Sequence, residues 1–493
     1  MTETAPPRRA LAETELKAGA IGLGSVVMQS IAHIAPAIAI LFTVQFNTSL
    51  AGVAAPLSYL VAFLIVLVLG IVLGELARHL PSAGGYYTYV SRAVHPRAGF
   101  WTAWMFILYS PLVAAPVLTA IGSVVETTLQ TRFGITFPWW LFLVLGVALA
   151  TWVIYRGIEL SARTAVVFAT AEMAIVALLA LWGLLFPGPG GVNAAPFLPG
   201  NISSSSGFFL AVMFSIFAFT GWEAAAAVAE ESRDPRRNIR LGILGSILIL
   251  GAFLVLTSWG ILIGWGTSDV QTLIESAELP GLVLAQRVWG PVGELVILLA
   301  LINSAIAGSI AYLTVGTRMW FAMARSGSLP KLLAKVHPVH RTPVNAAILE
   351  AVLNLAVGLG LGFAIGPFAA FVFFGIAITF TMVPVYILGN LGAFLFFRRE
   401  RPQDFNIVLH GILPLVGIVA VLGVGWVSIN PLPAPPNDLA VALVVVWALV
   451  GVGILVAMRI ARREEWLLKA GQLAAEVSVD ERLESDRLDH KPN

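Results

Sequence analysis

Cysteine is absent from the 493-residue chain, which excludes disulfides, thiolate chemistry and any cysteine-ligated metal. Charge is scarce: only 11% of residues are Asp, Glu, Lys or Arg against 58% hydrophobic, and the mean hydropathy is +0.89. A water-soluble domain of that balance lacks the polar residues to cover its surface, so the bilayer is the expected solvent. There is no P-loop, and the stretches between apolar runs are too short to fold as a catalytic domain. Nor is there a regular arginine series of the kind that senses voltage, or an obvious carbonyl-lined filter sequence. A secondary transporter is therefore the leading class, ahead of a channel, a receptor or an enzyme. No cofactor, metal or nucleic-acid partner is expected. Residues 1–16, mostly polar and proline-containing, do not read as a cleavable signal.

Apolar length is what the chain does have. Crossing the hydrocarbon core takes about 20 residues. Runs of that size fall near 22–47, 54–76, 99–127, 138–156, 163–186, 207–229, 240–264, 292–322, 343–362, 367–397, 406–428 and 437–459. The reading is an all-α polytopic protein of the cell (plasma) membrane with twelve transmembrane helices. The first, third, sixth, eighth and tenth are expected to contain breaks or long extensions. The 46 glycines and 28 prolines suit membrane helices, whose neighbours re-satisfy freed backbone groups. With the amino terminus in the cytosol, the inner segments collect Arg78, Arg92, Arg97, Arg156, Arg163, Arg233, Arg236, Arg237, Arg240 and the basic residues of 325–341 and 398–401. The outer segments hold only Arg132 and Arg287. That asymmetry places both termini in the cytosol, with residues 1–16 and the charged stretch 462–493 as tails. Lipid-facing and partner-facing apolar surfaces read alike, so membrane lipids are expected around the chain and no oligomeric partner is assigned.

Two of the runs are disturbed near their middles. Val27 to Ala39 reads VMQSIAHIAPAIA, with His33 followed three residues later by Pro36. Proline cannot donate the backbone hydrogen bond and crowds the preceding turn, so this helix is expected to be interrupted. In the sixth run, FAFTGWE brings Thr220, Gly221 and Glu223 together, and glycine removes the side-chain obstacle to unwinding. The competing reading for that patch is close helix packing, for which small residues are equally suited.

Three separated motifs carry a family resemblance. They are ELARHLPSAGGYYTYVSRAVHPRAGFWTAW from Glu75 to Trp104, FAFTGWE followed by AEESRDPRRNI in the sixth run, and GTRMWFAMARSGSLPKLLAKVHPVHRTPVNA from Gly316 to Ala346. In that order they resemble the amino acid-polyamine-organocation transporters, in particular the amino acid permeases, over most of residues 17–400. The resemblance implies a LeuT-like 5+5 inverted repeat: one five-helix unit at 17–186, a second at 207–397, two further helices at 406–461, and discontinuous helices 1 and 6. Paired interruptions at corresponding places are the best sequence pointer to a substrate site at the bilayer midplane.

Amides freed at the start of a half-helix attract anions, and carbonyls freed at the other end attract cations. What the resemblance implies is a small zwitterionic or cationic amine substrate. Its carboxylate belongs near Ala32, His33, Ile34 and Ala35, beside Ser30, and its amine near Phe217, Ala218, Phe219, Thr220, Gly221 and Trp222. Relatives carry a glycine, small residue, glycine group at the first break, whereas this chain has Ala32, His33, Ile34, Ala35 and Pro36. His33 reads as a proton carrier, a substrate contact or a structural donor. Glu172, in the fifth run, stands where many relatives have a lysine, and a carboxylate there must be paired, protonated or facing a cavity. A coupled proton on Glu172 is the first choice and sodium the second, with Glu223 as a further proton candidate. Trp222 and Phe219 are read as a thin aromatic gate, and Tyr109, Asn303 and Tyr386 as weaker contacts. The cluster Glu230, Glu231, Arg233, Asp234, Arg236 and Arg237 is read as an inner gate or topology signal lying close to water.

Overall fold

The computed structural model describes residues 18–461 apart from 83, 110–111, 277, 326, 328 and 433–434. The tails expected at 1–16 and 462–493 lie outside the described residues. Helices α1 (Leu23–Ile34) and α2 (Pro36–Ala51) divide the first expected run. Then come α3 (Ala55–His79), α4 (Tyr86–Ala93), α5 (Pro96–Tyr109), α6 (Ala114–Phe133), α7 (Trp139–Arg156) and α8 (Ile158–Leu185). The sixth run is α9 (Ser205–Phe219) followed by a 3-10 helix, Trp222–Glu231. It leads to α10 (Pro235–Trp265), the short α11 (Val270–Ile274), α12 (Pro280–Arg325), α13 (Val344–Ile365), α14 (Pro367–Arg399), α15 (Leu413–Ser428) and α16 (Asn437–Ile460).

Among the described residues, eleven helical stretches are long and apolar enough to cross a membrane, one fewer than the twelve expected runs. The difference lies at the start: the 3-10 turn Gly52–Ala54 joins α2 to α3, so Leu23–His79 runs as one stretch of 57 residues, broken at Ala35. The extension expected in the eighth run lies at its amino end, where Gly290 turns to φ 69° ahead of Pro291 within the 46-residue α12.

The first interruption is made by proline. Ala35 sits at φ 53°, ψ 70°, a left-handed conformation that costs a residue bearing a Cβ about 1–2 kcal/mol. Pro36 disfavours right-handed helix at the residue before it and opens α2 at the position where a missing N–H is harmless. The second is made by glycine: α9 ends at Phe219, and Gly221 at φ 119° starts the 3-10 helix.

α1 and the 3-10 helix pack together toward one end of the molecule, and α2 and α9 toward the other. Around this centre, α10 packs on α3 and α8, α12 on α8, α7 and α6, and α14 on α5 and α6. The last helix, α16, is bound to α5 by a tryptophan clasp. Trp104 and Trp447 stack at 4.2 Å, and each indole N–H donates to the other's backbone carbonyl at 2.8 Å. Trp101 adds a third indole bond, to the Ala448 carbonyl at 3.1 Å. Trp104→Phe keeps a ring in place and removes one donor. It is expected to lower thermal stability in detergent by about 1 kcal/mol, read as a melting shift of the purified protein.

Candidate functional site

The two interruptions lie against each other. A Cβ on Gly221 would come within 2.4 Å of His33 Cδ2, so the histidine ring fills the space that the glycine leaves. His33 is buried, its Nε2 is 3.1 Å from the Tyr109 hydroxyl, and its ring meets Tyr312 edge-on at 4.7 Å. Ser30 ties the same halves from below: its hydroxyl donates to the Trp222 carbonyl at 3.0 Å and accepts from the Ala225 amide at 2.8 Å. That hydroxyl is fully engaged by the sixth-run backbone.

Each amino end exposed by a break is answered by a carboxylate. At α2, Pro36 has no N–H, the Ala37 amide faces the Glu172 carboxylate, and the Ile38 amide donates to Ser304 Oγ at 3.4 Å. Glu172 is wholly buried and accepts from Asn303 Nδ2 at 3.4 Å, while Asn303 also donates to the Phe168 carbonyl at 2.8 Å. At the 3-10 helix, the Gly221 amide donates to Glu223 Oε2 at 3.2 Å. The amide of Ala35 is spent on the Ala32 carbonyl at 3.1 Å. On the carbonyl side, Phe217 accepts from the Thr220 amide and Ile216 from the Thr220 hydroxyl.

Two small cavities flank the His33–Tyr109 contact, each of about 30 Å³. One is lined by Ile34, Ile38, Phe217, Ala218, Thr220 and Phe371; the other by His33, Tyr86, Tyr89, Phe106, Tyr109 and Glu223. A third cavity, of about 520 Å³, forms a vestibule lined by residues that include Phe42, Gln45, Thr127, Arg132, Glu294 and Phe368. Phe42 and Phe368 line its floor, and the rings of Phe371 and Phe217, spaced 5.2 to 6.0 Å along the series, continue from it to the Phe217 cavity. Gln45 Nε2 holds the wall by donating to the carbonyl of Ser276 at 2.7 Å and to those of Leu273 and Ile274 at 3.3 and 3.4 Å.

The expected gate residues are displaced by helical phase. Phe219 stacks on Phe63 at 6.3 Å and Trp222 lies 5.7 Å from Tyr386, so neither lines the cavities. Phe217 takes the covering position, because two residues along a helix turn a side chain about 200° away. Tyr386 stands behind the site, 6.2 Å from Tyr86.

The other side of the site is shut by charge and backbone. Arg318 Nε and its neighbouring nitrogen donate to the two oxygens of Glu231 at 3.0 and 3.1 Å, and both side chains are 1% exposed. The expectation that this cluster lies close to water fails at Glu231, since the 3-10 helix tucks it under α12. Arg325 binds Glu230 through two nitrogens, and Ile21 pairs with Glu231 and Arg233 through its backbone. Sequence reasoning passed over Arg318, Tyr312, Tyr86 and the buried Glu350, which accepts from Trp320 Nε1 at 2.6 Å. The signal was present: an ionisable residue inside an apolar run is a functional or bracing position by default.

A multi-pass membrane carrier is the class defined by two helices broken side by side, a vestibule over an aromatic floor and a charge-locked opposite face. Residues 25–467 match the amino acid permease family, and the chain belongs to it. It is 24% identical to a low-affinity putrescine importer of Escherichia coli over 86% of this chain and 90% of that protein. It is likewise 24% identical to a branched-chain amino acid permease of Lactococcus lactis, over 83% and 87%. Its fold is similar to a sodium-coupled sialic acid symporter in a substrate-bound outward-open state, with a TM-score of 0.52 and 14% identity over 82% and 88% of the two chains. The protein is a secondary active transporter of a small amine or amino acid and not an enzyme.

Gly221→Ala adds a steric clash with His33 to a backbone strain of about 1–3 kcal/mol. Uptake into vesicles is expected to fall at least about tenfold, the equivalent of 1.4 kcal/mol. Adding His33→Ala in the same chain should recover part of the loss, because it clears the clash but leaves the backbone strain. Glu231→Gln leaves Arg318 buried without its charge partner, at a cost of about 3–5 kcal/mol to the closed form. The cysteine-free background lets Ala226→Cys, in the Glu223 cavity, report that opening as faster labelling by a water-soluble maleimide.

Proposed function

We propose that the protein imports its substrate by alternating access around the two breaks, driven by the proton gradient, with Glu172 as the coupled proton site. The observation that carries this is the place of Glu172: fully buried in α8, with its carboxylate at the amino end of α2. A charge there interacts with the dipole of a helix half that must move, so loading and unloading a proton changes what holds that half in place. His33 and Glu223 stand at the same junction as further proton candidates. The segments 32–35 and 217–222 form the substrate-binding frame, in which His33, Ile34, Phe217, Ala218 and Thr220 line the cavities and Ser30 ties the two segments together.

The arrangement we infer is twelve spans, two five-helix units of opposite orientation at 17–186 and 207–397, and two added helices. Two facts support it. At 1.5 Å per residue, the 57-residue stretch Leu23–His79 is about 85 Å long, enough for two crossings of a core of about 30 Å. Packing also repeats at an offset of five spans: the first meets the sixth, the second the seventh, the third the eighth and the fourth the ninth. The fifth span packs on the first, seventh and eighth, and the tenth in the same manner on the sixth, second and third. The Glu231–Arg318 face then lies in the cytosol with both termini, and the vestibule opens outward.

The Glu172 carboxylate and the Ser304 hydroxyl also offer oxygens that a hard cation accepts, which makes sodium coupling the second reading. Sealed vesicles holding the purified protein, given an inward proton gradient, are expected to accumulate labelled putrescine or L-leucine. Glu172→Gln is expected to retain binding and lose gradient-driven accumulation. Accumulation that follows sodium and ignores pH replaces the proton with sodium, and uptake that requires unlabelled substrate inside identifies an exchanger. Full pH-driven accumulation by Glu172→Gln removes Glu172 from the coupling role.

A further inference from the structure

We propose that the central site takes an amine without a carboxylate, because both half-helix amino ends that a carboxylate would use are already occupied by this chain's own acids. The proposal rests on the transport reading above and narrows its substrate class.

A carboxylate in a desolvated site needs N–H donors or a cation. At the first break the backbone has none to spare. Pro36 lacks the N–H, the Ala35 amide is bonded to Ala32, that of Ala37 faces Glu172, and those of Ile38 and Ala39 are bonded to Ser304 and to the Ala35 carbonyl. At the second break the Gly221 amide is held by Glu223. Among the described residues, no lysine or arginine lines either cavity beside the breaks. A substrate carboxylate would therefore enter beside the Glu223 carboxylate and find no compensating charge.

For an ammonium group the same space is favourable. The carboxyl ends of α1 and α9 converge on it, and helix carboxyl ends attract cations. Glu223 Oε1 is buried without a hydrogen-bond partner, in a cavity walled by Tyr86, Tyr89, Phe106 and Tyr109. Aromatic faces around a desolvated cation add further attraction. On the other side of His33 the cavity wall is mostly apolar, with Ile34, Ile38, Phe217 and Phe371 suited to a hydrocarbon chain. The fit is to an alkyl or aralkyl amine whose ammonium group binds beside Glu223.

The test compares pairs that differ only by the carboxylate: putrescine with L-ornithine, isopentylamine with L-leucine, and phenethylamine with L-phenylalanine. Binding to the purified full-length protein is read by thermal shift, and uptake by competition in vesicles. In at least one pair the amine is expected to bind about tenfold or more tighter than its amino acid. Pro36→Gly, which restores a donor at the first break, is expected to narrow that ratio. Equal or tighter binding of the amino acid in every pair that binds overturns the proposal and leaves the transport reading standing. An unchanged ratio in a folded Pro36→Gly protein overturns the role given to the missing amide. Failure of all six compounds to bind or compete removes the proposal together with the reading on which it rests.

Discussion

A helix interrupted in hydrocarbon must satisfy the backbone groups that it frees, and in this protein they are answered from within the chain. Glu172 and Ser304 serve the amino end of α2, and Glu223 serves that of the 3-10 helix. The hydroxyl of Ser30 joins α1 to the 3-10 helix. The remaining architecture follows from keeping these groups together. Small residues let the helices approach: a Cβ on Gly242 would meet Val26 at 2.6 Å, and one on Gly308 would meet Ala35 at 2.9 Å. The rings of Phe42, Phe368, Phe371 and Phe217 stand between the vestibule and the site, which they roof.

The two faces of the site are closed by different chemistry. Toward the arginine-rich end, a doubly hydrogen-bonded ion pair and a short backbone bridge must be broken together. Toward the vestibule there are mainly ring contacts, which a rotamer change can rearrange without stranding a charge. Opening the first exposes charges to water as it separates them, so hydration repays part of the loss. Opening the second costs packing and a few half-exposed polar contacts, among them those of Gln45 and the Arg132–Glu294 pair. This asymmetry is the expected one for a carrier that must hold one side firmly shut while the other samples opening.

Much of this was legible in the sequence where the cause is local. Proline at 36 and glycine at 221 act on their own backbone, so both interruptions were read at the right residues. Glu172 stood out because a lone carboxylate in an apolar run must be answered by something. What the chain order does not carry is rotation and meeting. Phe219 and Trp222 neighbour the break in sequence, yet the helix turns Phe217 into the covering position. Glu231 reads as a surface residue beside three arginines, and only the approach of α12 buries it against Arg318 some 87 residues away. Asn303 and Glu172 meet across 131 residues, a pairing that no spacing rule anticipates.

Gln45 gives the vestibule a mechanical property. Its amide holds three backbone carbonyls in and just beyond the loop helix α11 from a position on α2, the second half of the broken first helix. The loop is thereby a passenger on α2 rather than an independent flap. A tilt of α2 moves the mouth of the vestibule and, through Phe42, its floor in one stroke. Entrance width and access to the buried cavity therefore share one moving wall, so a solute that props the mouth open also acts on the floor.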